Sequence, residues 1–155
     1  MGTITFSTAE HIKFLYHYHW LVRQNGDIAA GHLPQRVFNA YSHGFNRRRN
    51  HSGTLLEGPY KVIQVSTDEY LHRLCRYIHA NPVRHGFALD PSLWTYSNYL
   101  DWIGERSGTL IDRQFVSEHF GTPNQYKAYM MSYLTKTVVL SSGLEDYLKE
   151  LDDAK

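Results

Sequence analysis

From residue 14 to residue 24 apolar and polar positions alternate with a period of two. Phe14, Tyr16, Tyr18, Trp20 and Val22 fall on one side, and Leu15, His17, His19 and Leu21 on the other. Tyr and Trp favour strands, so this segment is predicted as a β-strand closed by the turn signal Asn25-Gly26-Asp27. Between Pro34 and Arg48 the period becomes helical. Val37, Phe38, Tyr41 and Phe45 trace an apolar stripe, Pro34 suits a first turn, and a helix is predicted over 35–48. His51-Ser52-Gly53 breaks the chain, and a short strand over 60–65 follows Gly58-Pro59. Ser66 or Thr67 then caps a helix over 68–80. Asp68 and Glu69 suit the positive end of its dipole, and Tyr70, Leu74 and Tyr77 recur at helical spacing beside Leu71 and Ile78. Asn81-Pro82 is expected to end it, because the residue before a proline is pushed out of the helical region. Helices over 92–103, 112–120 and 123–135 and a charged tail from 143 complete the pattern.

A length of 155 residues, 42% of them hydrophobic and 20% charged, fits one folded domain. The lone Cys75 excludes a disulfide-stapled scaffold and suits a reducing compartment. With neither an 18-residue apolar run nor a secretory leader in view, a cytoplasmic location and no membrane partner are expected. The net charge of +1 hides a gradient: residues 11–61 carry seven basic and two acidic groups, whereas residues 100–155 carry six basic and nine acidic ones. A basic first third suits a phosphate backbone.

Twelve tyrosines and ten histidines supply many groups for metal binding, stacking or nucleophilic attack. His17 and His19, two apart on a strand, present both imidazoles to one divalent cation, and a third ligand must come from elsewhere. Two surface histidines on a half-exposed strand share the same spacing. Tyr70 fits either a nucleophile working beside a metal or a ring packed against Leu74. Arg47, Arg48 and Arg49 at a helix end, followed by Gly53, fit paired phosphate contacts as well as they fit simple stabilisation of that end.

The linear order of these blocks resembles the REP-associated tyrosine transposases, members of the one-tyrosine, His-hydrophobic-His transposase superfamily. Tyr77-Ile78-His79-Ala80-Asn81-Pro82-Val83-Arg84-His85-Gly86 is similar to the family signature that follows the catalytic helix. Phe45-Asn46-Arg47-Arg48, Leu56-Glu57-Gly58-Pro59-Tyr60-Lys61, Asp68-Glu69-Tyr70-Leu71 and Trp94-Thr95-Tyr96-Ser97-Asn98-Tyr99 match in order, over residues 14–136 in all. The resemblance implies an α+β fold: a ferredoxin-like antiparallel sheet covered by helices, with a C-terminal helical extension. Its core occupies residues 11–90 and is truncated, lacking the usual first strand and helix; the extension covers 91–136, and a charged tail covers 137–155.

Carried over by residue, the resemblance implies that Tyr70 is the nucleophile and that His17 and His19 hold a divalent Mg or Mn ion. DNA-binding roles fall to Arg47, Arg48, Arg49, Lys61 and Arg84. The implied reaction is cleavage and strand transfer of single-stranded or hairpin DNA through a 5′ phosphotyrosine intermediate, carried out by a homodimer. Tyr16 replaces the family's usual Asn, Pro59 its usual Arg, and Leu74 offers no ligand atom one turn past Tyr70; His79 and Asn81 have atoms that suit the open third position. Two competing expectations stand beside this one. One is an inactive, transposase-derived DNA-binding remnant, and the other is an unrelated small helical protein.

Overall fold

A computed structural model describes residues 2–8 and 17–135, which divide into two compact units, one running up to Ser66 and one starting at Thr67. Phe14 to Tyr16 of the expected first strand and the tail from 137 lie outside the described residues.

The first unit contains β1 (Gly2–Thr8), β2 (His17–Val22), α1 (His32–Arg49) and β3 (Leu56–Gln64). The strands form an antiparallel sheet in the order β2-β1-β3, so β1 is its central member. This corrects the expectation that the opening strand is missing. Thr3, Ile4, Thr5 and Phe6 are good strand formers, and the segment pairs on both sides. The alternation within β2 holds: Tyr18, Trp20 and Val22 pack with Leu56 and Tyr60 of β3 around the buried Phe38 of α1. The Tyr18 and Trp20 ring centroids each lie 5.4 Å from that of Phe38. The predicted α1 stripe divides, since Phe38 enters this cluster while Val37 and Tyr41 stay exposed.

β3 starts earlier than expected because Gly58-Pro59 does not end it. The register shifts between Thr5 and Ser7, whose β3 partners are Lys61 and Glu57. Gly58, Pro59 and Tyr60 therefore sit opposite a single β1 residue, Phe6. A proline without an N–H is tolerated at such an irregularity on an edge strand.

The second unit holds α2 (Asp68–Arg84), a 3₁₀ turn (Pro91–Leu93), α3 (Tyr99–Trp102), α4 (Arg113–Phe120) and α5 (Pro123–Thr135). α2 packs on α5 and on the 3₁₀ turn. Leu74, Tyr77, Tyr99, Tyr126 and Met130 are all essentially inaccessible. The Tyr126 ring sits 4.8 Å from Trp102 and 5.0 Å from Phe120, centroid to centroid. Arg76 of α2 places its guanidinium 4.1 Å from the Tyr129 ring centre and 5.1 Å from that of Tyr133, clasping α2 to α5 by cation–π attraction.

α2 runs on through Pro82 instead of stopping before it. Pro82 is buried in the final turn, where only one internal hydrogen bond is forfeited, and the chain beyond restores others. His85 N donates to Asn81 O at 3.0 Å, Gly86 N to Val83 O at 3.0 Å, and Phe87 N to Pro82 O at 2.8 Å. This reversal needs a left-handed residue, and Gly86 supplies it at φ 72°. Gly86→Ala meets no steric obstacle at the new Cβ. Its expected cost is therefore backbone strain alone, about 1–2 kcal/mol, read as a lower urea midpoint with an unchanged slope. The helix expected over 92–103 is instead two short pieces separated by residues 94–98.

The expected fold class is therefore corrected. The chain is mostly helical, and the truncated ferredoxin-like core is not what it forms. Its described strands end at Gln64, and α2 is part of an all-helical unit whose apolar faces are satisfied by other helices. Among the described residues no helix is long and apolar enough to cross a membrane.

Candidate functional site

In the first unit, His17 pairs with Ser7 of β1 and His19 with Thr5. Thr5 pairs on its other side with Lys61 of β3. His19 and Lys61 are therefore register partners of the same β1 residue and form one backbone row, about 10 Å apart. Because Tyr18, Trp20 and Val22 take the α1 side, alternation puts His19 on the opposite face. His19 is half-buried there.

Arg47, Arg48 and Arg49 form the last turn of α1 and are all exposed. The segment after them, where His51-Ser52-Gly53 breaks the helix, is held by hydrogen bonds. Asn50 is left-handed at φ 49°, His51 N donates to Asn46 O at 2.9 Å, and Asn46 Nδ2 donates to Gly53 O at 3.0 Å. The side chain of Asn46 also bonds His51 Nδ1 at 3.1 Å. Three guanidiniums on a pinned helix end provide fixed positive charge for a polyanion, with no dedicated acidic partner in the α1 first or last turn. Under the DNA-binding expectation, replacing all three by Ala weakens single-stranded DNA binding irrespective of sequence. The slope of log affinity against log salt should fall by about 2, since each lost phosphate contact removes about 0.7. An unchanged slope in a filter-binding series places these arginines away from the nucleic acid.

Tyr70 occupies the first turn of α2, in the second unit. Thr67 is the N-cap, and its Oγ1 accepts from Tyr70 N at 3.2 Å. Tyr70 is half-buried, whereas Leu74, one turn on, and Tyr77, two turns on, are completely buried. The helix dipole favours negative charge at this end; Asp68 and Glu69 oppose it, and Arg73 pairs with Glu69. Arg84 lies at the far end of the same helix, about 21 Å along the axis from Tyr70. Its guanidinium sits 5.2 Å from the Tyr77 ring centre, and its surface is exposed.

His79 is not available as a third ligand. It is buried, its Nδ1 lies 2.6 Å from Tyr126 Oη, and its Nε2 lies 2.9 Å from Asn98 Oδ1. An amide oxygen only accepts, so Nε2–H donates to Asn98 and unprotonated Nδ1 accepts from the Tyr126 hydroxyl. Burial pushes the imidazole down to about 4, against the opposing effect of the Asn98 bond. Both nitrogens are thus committed to joining α2, α5 and the segment before α3. Asn81 is buried as well. Cys75 is buried, and its thiol is pushed up to about 12, so it is chemically inert.

Sequence reasoning did not single out His72 and His119, or their grouping with Asp68. The His72 and His119 rings are 6.1 Å apart, and His119 Nδ1 is 4.0 Å from Asp68 Oδ1. His72 is held below the usual histidine range, first by burial and then by His119. Asp68 and His72 are four apart on one helix, but nothing in the sequence ties His119 to them. Among the described residues no group of three or more His, Cys, Asp or Glu side chains is arranged to hold a metal ion. No protein-family model matches the chain, and no curated protein or solved structure matches it either.

Proposed function

We propose that this chain cleaves and rejoins single-stranded or hairpin DNA through Tyr70. The reading rests on the ordered sequence blocks that resemble the REP-associated tyrosine transposases. One structural observation carries it to a particular residue: Tyr70 lies half-exposed in the first turn of α2, while Tyr77 on the same helix is sealed in the core. In the proposed step the Tyr70 oxygen attacks a backbone phosphorus as its proton is lost. The bond from phosphorus to the 3′ oxygen breaks, and that oxygen leaves as a 3′ hydroxyl after protonation. The 5′ phosphate stays esterified to Tyr70, and attack by another 3′ hydroxyl reverses the step and joins the strands.

Arg47, Arg48, Arg49 and Lys61 are the proposed phosphate contacts of the first unit, with Arg84 in the second. His17 and His19 are the proposed cation residues, and no step is assigned to the cation. A homodimer working in the reducing cytoplasm completes the proposal, in keeping with the single buried thiol. An oligonucleotide labelled at its 3′ end should become covalently attached to the protein on a denaturing gel in Mg or Mn. The same strand labelled at its 5′ end should be released as a free shorter fragment. Attachment of the 5′ label instead reverses the assigned polarity.

A second reading has its own support. Leu74 is fully buried and has no ligand atom one turn past Tyr70, which favours a DNA-binding descendant that no longer cuts. Salt-sensitive binding with no covalent product under any divalent metal selects it.

A further inference from the structure

We propose that the ring run of Phe87, Trp94 and Tyr96, beginning just past Arg84 at the end of α2, is a stacking surface for unpaired bases of a nucleic acid strand. The proposal rests on the reading that the chain handles single-stranded DNA, and on no part of the Tyr70 chemistry.

The rings run in sequence. His85 and Phe87 stack at 6.2 Å with 30° between planes, Phe87 and Trp94 at 5.9 Å with 27°, and Trp94 meets Tyr96 edge-on at 5.3 Å. Two of them are exposed, Phe87 at 42% and Tyr96 at 74%, and Trp94 is half-buried. Rings partly open to water offer π surface, and any base has a complementary π face whatever its identity. A partly exposed run of this kind is costly to keep hydrated unless something flat covers it.

The backbone holds the rings in place before any ligand arrives. Phe87 is tied to the α2 end by its bond to Pro82 O. Asp90 Oδ1 caps the following 3₁₀ turn, accepting from Ser92 N at 2.8 Å and Ser92 Oγ at 2.6 Å. Trp94 N donates to Pro91 O at 3.3 Å. Beyond Tyr96, the Arg106 guanidinium donates to Thr95 O and Ser97 O while pairing with the buried carboxylate of Asp101. Ordering these rings thus takes little further entropy on binding.

Charge selects the kind of partner. Arg84, an exposed residue whose guanidinium lies over the Tyr77 ring, puts a positive charge where the run begins in sequence, and the one carboxylate within residues 84–97, Asp90, is engaged with Ser92. Flat aromatic faces beside a cation suit an anionic strand with exposed bases better than they suit an acidic or apolar peptide. Duplex DNA, whose bases are already stacked on one another, gains nothing from the rings.

The test is fluorescence anisotropy of a labelled 15-mer of thymidine against a 15-base-pair duplex, each titrated with the whole chain. Wild type should bind the single strand more tightly. Trp94→Ala with Tyr96→Ala should weaken single-strand binding by about tenfold or more, as the loss of one or two stacked bases implies, and leave duplex binding unchanged. Trp94→Phe, which keeps a flat ring, should retain most of the affinity, and a urea melt checks that each variant folds. Unchanged single-strand affinity in the folded double variant overturns the proposal. Equal wild-type affinity for the two DNAs, or a Trp94→Phe loss as large as that of Trp94→Ala, also overturns it. Covalent product persisting in a variant that has lost stacking affinity, or stacking affinity persisting where no covalent product forms, separates this surface from the Tyr70 reading.

Discussion

Tyr126→Ala is expected to destabilise the helical unit by about 3–5 kcal/mol, the usual range for emptying a fully buried aromatic site. Tyr126 is inaccessible, its ring touches those of Trp102, Phe120, His79 and Tyr99, and its hydroxyl is the donor to His79 Nδ1. Removing it leaves both a cavity and a buried acceptor without its donor. The same network sets a pH dependence. In the folded chain His79 titrates at about 4, well below the ordinary histidine value of 6.5, because burial disfavours its charged form. The neutral ring therefore contributes stability that is fully present above about pH 6.5 and is lost as pH falls towards 4. The loss amounts to about 3 kcal/mol. His72, also held low by burial, acts in the same direction. Urea midpoints should drop between pH 7 and pH 4.5, and His79→Gln, less stable at pH 7, should show a clearly shallower drop. A pH dependence identical in wild type and His79→Gln contradicts the assigned neutral form.

Tyr70→Phe is expected to abolish covalent product, at least about a thousandfold below wild type, as removal of an attacking group does elsewhere. The substitution deletes one hydroxyl and keeps the ring, so folding stability and DNA affinity should change by less than about 0.5 kcal/mol. Tyr77→Phe is the control. Tyr77 is fully buried between Leu74 and Ala80 and has no path to a phosphodiester, so product formation should persist. His17→Ala and His19→Ala should lower cleavage at a fixed Mg or Mn concentration, and added metal should partly restore it if these residues hold the cation.

Elements whose signals are local were legible. The alternation through Tyr18, Trp20 and Val22 located β2, and Thr67 followed by two acids located the start of α2. Elements decided by long-range packing were not. Residues Gly2–Thr8 are rich in strand formers, but their place at the centre of the sheet depends on pairing with segments up to 62 residues away. Pro82 reads as a stop because its local effect is unfavourable, and burial in the last turn of α2 outweighs it. The candidate site shows the same division. Tyr70 at the start of a helix was evident, whereas the row linking His19 to Lys61 exists only through β1. His79 looked like a spare ligand because its partners, Asn98 and Tyr126, lie 19 and 47 residues further along the chain.

The measurement that bears most directly on the central claim is mass spectrometry of the protease-digested covalent product. Wild-type protein is incubated with a single-stranded hairpin oligonucleotide and Mn, digested with nuclease and protease, and searched for peptides carrying a nucleotide phosphate. The account predicts the modification on Tyr70, as a phosphoester to the 5′ end of the released strand, and its disappearance in Tyr70→Phe. A nucleotide on Tyr77 or any other side chain, or wild-type protein that binds the hairpin and never becomes modified, contradicts it.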